Sequence, residues 1–195
     1  MDGIIKKANQ RLKFLYRHKS CLSLLSRKSL CNALIQCHID YACTSWYESL
    51  SVKLKKKLQV VQNKVIRFIL DLSPRSSINA EVFEKLDYLN ISNRVKQLRL
   101  NHVFNIFHEK CPDYLNNNFS RTCSSRSTRS SKFNFFLPRV EKMESETFYF
   151  NGIRDWNSLP DEIKCINNKI SFKSAVKKHL LADMKKTADC DFLYH

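Results

Sequence analysis

The sequence predicts a mainly α-helical protein: a helical bundle, then a smaller helical tail that carries one short β element. Three observations lead there. The 195 residues include only 2 glycines and 4 prolines, too few turn formers for the hairpins of a sheet or barrel. Hydrophobic residues make up 43% of the chain, enough to bury a core and too many for a disordered polyelectrolyte. Apolar residues also recur at helical spacing through most of the length.

The first helix carries Ile4 or Ile5, Ala8, Leu12 and Leu15 on one face. Lys6, Gln10, Lys13 and Arg17 repeat at i, i+4, i+7 and i+11 on the opposite face, so this helix is amphipathic with one basic stripe. Ser26 is placed to cap a second helix, with Leu30, Leu34, Cys37 and Tyr41 on one face, running to about Trp46. Ser51 caps a third, whose apolar side is Leu54, Leu58, Val61, Val65 and Phe68. Lys53, Lys57, Lys64 and Arg67 project together from another side of it. Leu72 to Asn79 reads as a loop, with Pro74 and three serines. A short helix over Ala80 to Leu86 precedes a long one from about Ser92 to Glu109, with Val95, Leu98, His102, Val103, Ile106 and Phe107 inward and Pro112 after its end.

Asn116 to Ser131 is polar, rich in serine and basic, with almost nothing to bury, and reads as a linker or surface loop. Lys132 to Pro138 (KFNFFLP) is the strand candidate, centred on Phe133 to Leu137. A helix through Phe148, Ile153 and Trp156 must stop before Pro160, which has no N–H to donate and pushes Leu159 out of helical angles. The last helix starts at Ser171 and places Phe172, Ala175, Val176, His179 and Leu180 on one face.

Charge points outward. Lys and Arg number 34 against 18 Asp and Glu, a net charge of +16. Repulsion on that scale is offset by a polyanion, with nucleic acid the first candidate and an anionic membrane surface the second. Consecutive cations on a helix stripe lie about 5–6 Å apart, a spacing that can follow successive phosphates. Arg121, Arg126 and Arg129 in the linker can make the same kind of contact, which carries no base sequence information. Trp46 and Tyr47 have rings able to stack on bases, though their place beside an apolar stripe favours the core. The eight cysteines form no C-x-x-C pair. The start of the chain is a charged amphipathic helix rather than a signal peptide. No run is long and apolar enough to span a bilayer. The cysteines are therefore expected as reduced thiols of a cytoplasmic or nuclear protein, with no membrane partner.

Catalytic chemistry is hard to place. There are no adjacent aspartates of the kind that hold polymerase metals; Asp189 and Asp191 come closest, in the terminal tail. Glycine-rich phosphate loops, G-x-S-x-G and H-E-x-x-H are all missing. His102, His108 and Cys111 fall within ten positions, but histidines six apart point to different sides of a helix. His102 is expected in the core face and His108 at the surface, with Cys37 and Cys43 acting as small buried hydrophobes. No cofactor and no metal is implied.

An ordered set of landmarks runs through the chain. HIDYACTSW contains His38, Tyr41 and Trp46; LQVVQNKVIRFI contains Gln59, Gln62, Asn63 and Arg67; LDYLNISNR ends at Arg94. PDYL contains Tyr114, WNSLP contributes Trp156, Asn157 and Pro160, and Phe172-Lys173 closes the set. Its order and spacing, from Asn9-Arg11-Leu12 to Leu180, resembles the C-terminal region of the reverse transcriptase polyprotein of non-LTR retrotransposons of the jockey-like and related clades.

The resemblance implies that residues 1–72 are a thumb-like helical segment with basic faces and 73–116 its helical continuation. It makes 117–131 the linker or loop, and 132–195 the tail region with a short strand and helices. The family's RNA-directed DNA polymerase activity belongs to a palm expected upstream, and this chain lacks the palm's metal-binding aspartates. The expectation is a fragment, inactive alone, that binds RNA or an RNA–DNA template–primer without reading bases. The upstream palm becomes a partner if a longer chain is made. Lys6, Lys13, Arg17, Lys53, Lys57, Lys64 and Arg67 are placed in that grip by their charge. The competing readings are a helical protein–protein adaptor and a relic of a mobile element without function.

Overall fold

Small polar side chains start four of the described helices. The computed structural model describes residues 2–116, 119–121, 133–139 and 144–191, residue 144 and the last five by backbone alone. Helix α1 spans Asp2–Arg17. Helix α2 spans Leu24–Cys31 and is capped by Ser23, whose hydroxyl accepts the Ser26 N–H at 3.2 Å. The cap is therefore not Ser26. Ser23 has the extended backbone a cap requires, and Ser26 already lies in the first turn. After α2 the chain widens into a π-helical segment, Asn32–Gln36, then α3, Cys37–Asp40. That wider turn changes which face is buried. Cys31, Ile35 and Ile39 go inside, while Cys37 and Tyr41, expected on the inner face, are exposed. The helix also stops short of Trp46: Ala42 turns left-handed at φ 48°, and a separate short helix α4 covers Cys43–Trp46.

Helix α5, Val52–Leu70, is capped by Ser51 as the sequence predicts and ends where Asp71 turns left-handed at φ 58°. Leu58, Val61, Val65 and Phe68 are buried along it. Helix α6, Ala80–Lys85, is capped by Asn79, and α7 spans Ile91–Phe107. Next come α8, Asp113–Asn116; α9, Phe148–Asn157, capped by Thr147; α10, Asp161–Lys164; and α11, Lys169–Asp191. Helix α11 starts before Ser171 because the Asn168 side chain accepts the N–H groups of Ile170 and Ser171. Among the described residues the expected strand is reduced to one antiparallel bridge, Arg121 to Phe135. The protein is mainly helical.

Two compact units make up the chain: Met1–Ser92 with Met184–His195, and Asn93–Asp183. In the first, α5 packs with α1 and α2, and α1 also packs with the π segment and α3. Leu12, Leu15, Ile35, Ile39, Leu58, Val65 and Phe68 are buried there, each stabilising the fold by about 1.5–3 kcal/mol. In the second, an aromatic cluster joins Phe104, Phe107, Phe135, Trp156 and Phe172. Trp156 and Phe172 are fully buried. Gly152 lets α9 approach α7 closely, since a Cβ there would lie 3.0 Å from Val103 Cγ2.

Candidate nucleic-acid interface

Helices α1 and α5 lie side by side, so their polar faces meet along one flank of the first unit. Lys6, Lys13 and Arg17 on α1, and Lys53 and Lys64 on α5, are exposed. None of these five has a hydrogen-bond or ion-pair partner among the described residues. Lys57 is exposed as well and pairs with Asp2 at 3.4 Å. A groove of about 390 Å³ opens between the helices, lined by Ile5, Asn9, Lys53, Lys56, Lys57, Val60, Val61 and Lys64. Sequence reasoning passed over Lys56. Its signal was the run Lys55-Lys56-Lys57, whose members part ways in the fold: Lys55 turns inward to Glu48 at 3.2 Å and lies over the Tyr47 ring.

Other predicted cations serve the fold. Arg67 is half-buried, and its Nε and one Nη donate to the Ser76 carbonyl at 3.1 and 2.8 Å. It ties the loop after α5 to the helix rather than joining Lys53, Lys57 and Lys64 on the free face. In the second unit the Arg121 guanidinium bonds the Phe107 carbonyl at 2.7 Å and Glu109 at 3.1 Å, and covers the Phe107 ring. Arg126 and Arg129 lie outside the described residues.

Most of the landmark residues are joints. The Gln59 amide donates to Gln62 and Asn63, both at 2.9 Å, and its carbonyl oxygen accepts the Ile91 N–H at the start of α7. Gln62, buried, donates to the Leu89 carbonyl at 2.8 Å. Gln59 thus satisfies an N–H that the start of α7 leaves open, Gln62 holds the segment just before it, and Asn63 orients the Gln59 amide. Trp46 donates its indole N–H to the Tyr41 carbonyl and closes the turn at Ala42. Tyr47 is buried and is not a free stacking platform, whereas Trp46 is half-buried. Arg94 bonds Gln97. His38 is half-buried, and Tyr41 and Tyr114 are exposed.

WNSLP is a latch on the segment expected as a strand. Trp156 donates its indole N–H to the Phe133 carbonyl at 2.7 Å. Asn157 meets Phe135 with both ends of its amide, accepting from the N–H at 3.0 Å and donating to the carbonyl at 2.8 Å. One side chain thus stands in for a neighbouring strand. Lys164, buried, gives its three ammonium protons to Asn134 Oδ1, the Asn157 carbonyl and Asp161 Oδ1. Arg99 and Asp155 form a buried ion pair at 2.8 Å.

The two histidines exchange their expected places. His102 is exposed, edge-on to Phe148. His108 is half-buried against Phe104 and Phe107, because the chain past the end of α7 folds into the aromatic cluster. Burial, with Lys110 and Arg121 nearby, holds the His108 pKa below the ordinary histidine value. Cys43 is buried as expected, whereas Cys37 is exposed. Cys31 is buried, and its thiol is pushed up to about 12 by desolvation, which keeps it protonated and unreactive. Among the described residues no group of three or more His, Cys, Asp and Glu could hold a metal ion. No helix among them is long and apolar enough to cross a membrane. No protein-family model, curated protein or solved structure gives a significant match to this chain.

Proposed function

We propose that this chain binds RNA or an RNA–DNA duplex without sequence specificity, through the flank formed by α1 and α5. The observation that carries the reading is the set of cations there without internal partners, in a chain of net charge +16. Each exposed ammonium can displace a condensed counterion from a phosphate, and nothing on that flank is arranged to read a base edge. The ordered landmarks support a narrower origin. The chain is a fragment of a non-LTR retrotransposon reverse transcriptase that lies outside the catalytic palm, and the palm is its partner in a longer protein. The work done by Gln59, Gln62 and Asn63, and by Trp156 and Asn157, accords with such landmarks being structural.

The test is the affinity of the purified chain for an RNA–DNA hybrid between about 50 and 200 mM salt. Binding is expected to weaken steeply across the series. Replacing Lys53, Lys57 and Lys64 by Gln is expected to lower the log–log salt slope by about 2.7, at about 0.9 for each phosphate no longer neutralised. An unchanged slope would remove α5 from the interface.

A further inference from the structure

We infer that the groove between α1 and α5 is a docking site for an acidic amphipathic helix of a partner protein. Its floor is aliphatic, made by half-buried Ile5 and exposed Val60 over the buried Val61, and its rim is cationic, made by Lys53, Lys56, Lys57 and Lys64. Val60 is 51% exposed. Phosphates need the rim and gain little from the floor. The groove lining also holds no aromatic ring on which a base could stack. An aliphatic strip edged by lysines is instead complementary to a helix with apolar residues at i, i+3, i+4 and i+7 and acids on both sides. A carboxylate already sits at this rim: Asp2 meets Lys57 at 3.4 Å across the two helices. A second copy of this chain is a poor occupant, since two bodies of +16 repel.

This site goes beyond the nucleic-acid reading and shares lysines with it, so the two ligands compete. The probe is a fluorescent helical peptide with leucines on one stripe and glutamates flanking it. A scrambled peptide of the same composition, with no stripe, is the control. Anisotropy titrations of the full chain are expected to show the striped peptide binding about tenfold more tightly than the scrambled one. Val60→Ser is expected to erase most of that preference, the worth of one buried aliphatic side chain. Circular dichroism checks that this exposed position leaves the fold intact. Lys56→Gln is expected to weaken both peptides and to increase the share of binding that survives salt. Hybrid binding is expected to be untouched by Val60→Ser. Equal affinity for the two peptides, or a preference that persists in Val60→Ser, would overturn the proposal. Hybrid binding that falls with Val60→Ser would overturn it too, by placing nucleic acid on the floor. A chain that bound the striped peptide and no hybrid would refute the nucleic-acid reading alone.

Discussion

The α1 and α5 flank of the first unit and the interior of the second use the same residue types in opposite ways. On the α1 and α5 flank, Lys6, Lys13, Arg17, Lys53 and Lys64 stand in solvent without partners among the described residues. In the second unit Arg99 and Lys164 are buried, and each is bonded to an acid. A lysine or arginine in a sequence is therefore not evidence of a binding surface until its partners are known. A buried cation must be paired to offset its desolvation, and removing the partner leaves a charge stranded. An exposed cation contributes little to folding and is available to an outside anion.

The largest expected effect follows from that asymmetry. Asp155→Ala removes the carboxylate 2.8 Å from the buried Arg99 guanidinium, at an expected cost of about 3–5 kcal/mol. Denaturant unfolding followed by circular dichroism measures it. A destabilisation below about 1 kcal/mol, the range of exposed pairs, would mean that the pair is solvated and that the two units do not differ in this way.

A smaller effect is expected at Asn157. Replacing it by Ala removes two hydrogen bonds to Phe135 and strands a partly buried N–H and carbonyl. The expected cost is about 1–3 kcal/mol. Amide hydrogen exchange localises it: protection at Phe135 should fall while protection within α5 stays as it was. A uniform drop across both units would contradict a local latch.

His108 gives a pH dependence with a definite sign. Its folded pKa lies below the ordinary value, because burial and nearby Lys110 and Arg121 disfavour the imidazolium. The unfolded chain therefore binds the proton first. Stability is highest above about pH 6.5, falls as pH drops through that value, and levels off below the folded pKa. In His108→Phe this contribution is absent, so the stability of the variant minus that of wild type should rise on going from about pH 7.5 to about pH 5, a window that spans the ordinary histidine value. Parallel profiles would show that His108 titrates as it does in the unfolded chain.

The same contrast explains what could be read from the sequence. Periodicity located the helices because burial repeats with the turn: Leu58, Val61, Val65 and Phe68 were legible without a partner. The π segment was not, since one wider turn between Cys31 and Cys37 carries no composition signal yet moves the buried face to Ile35 and Ile39. The strand was overread for a related reason. Phe133 to Phe135 has strand-like residues, but beyond the one bridge to Arg121 its backbone meets the side chains of Trp156 and Asn157, far along the chain. Lys53 and Lys64 were legible as surface cations, whereas Arg67, on the next turn, required knowing that the loop after α5 returns Ser76 to it. Helical spacing assigns a face. Only tertiary packing decides whether a charge on that face is already paired.

The smallest expected effect closes the comparison. Changing Lys53, Lys57 and Lys64 together to Gln should shift folding stability by less than about 0.5 kcal/mol. Among the described residues the change breaks one ion pair, the exposed one between Lys57 and Asp2, which is worth little in water. The removal of three like charges also relieves repulsion in a strongly basic chain. Gln keeps most of each aliphatic stem, so packing along α5 is retained. Measured beside Asp155→Ala under the same denaturant, the triple variant should keep its transition midpoint while losing affinity for the hybrid. A triple variant that unfolded as readily as Asp155→Ala would mean that the lysines of α5 hold the fold together, and the flank would then no longer be a surface kept free for an anion.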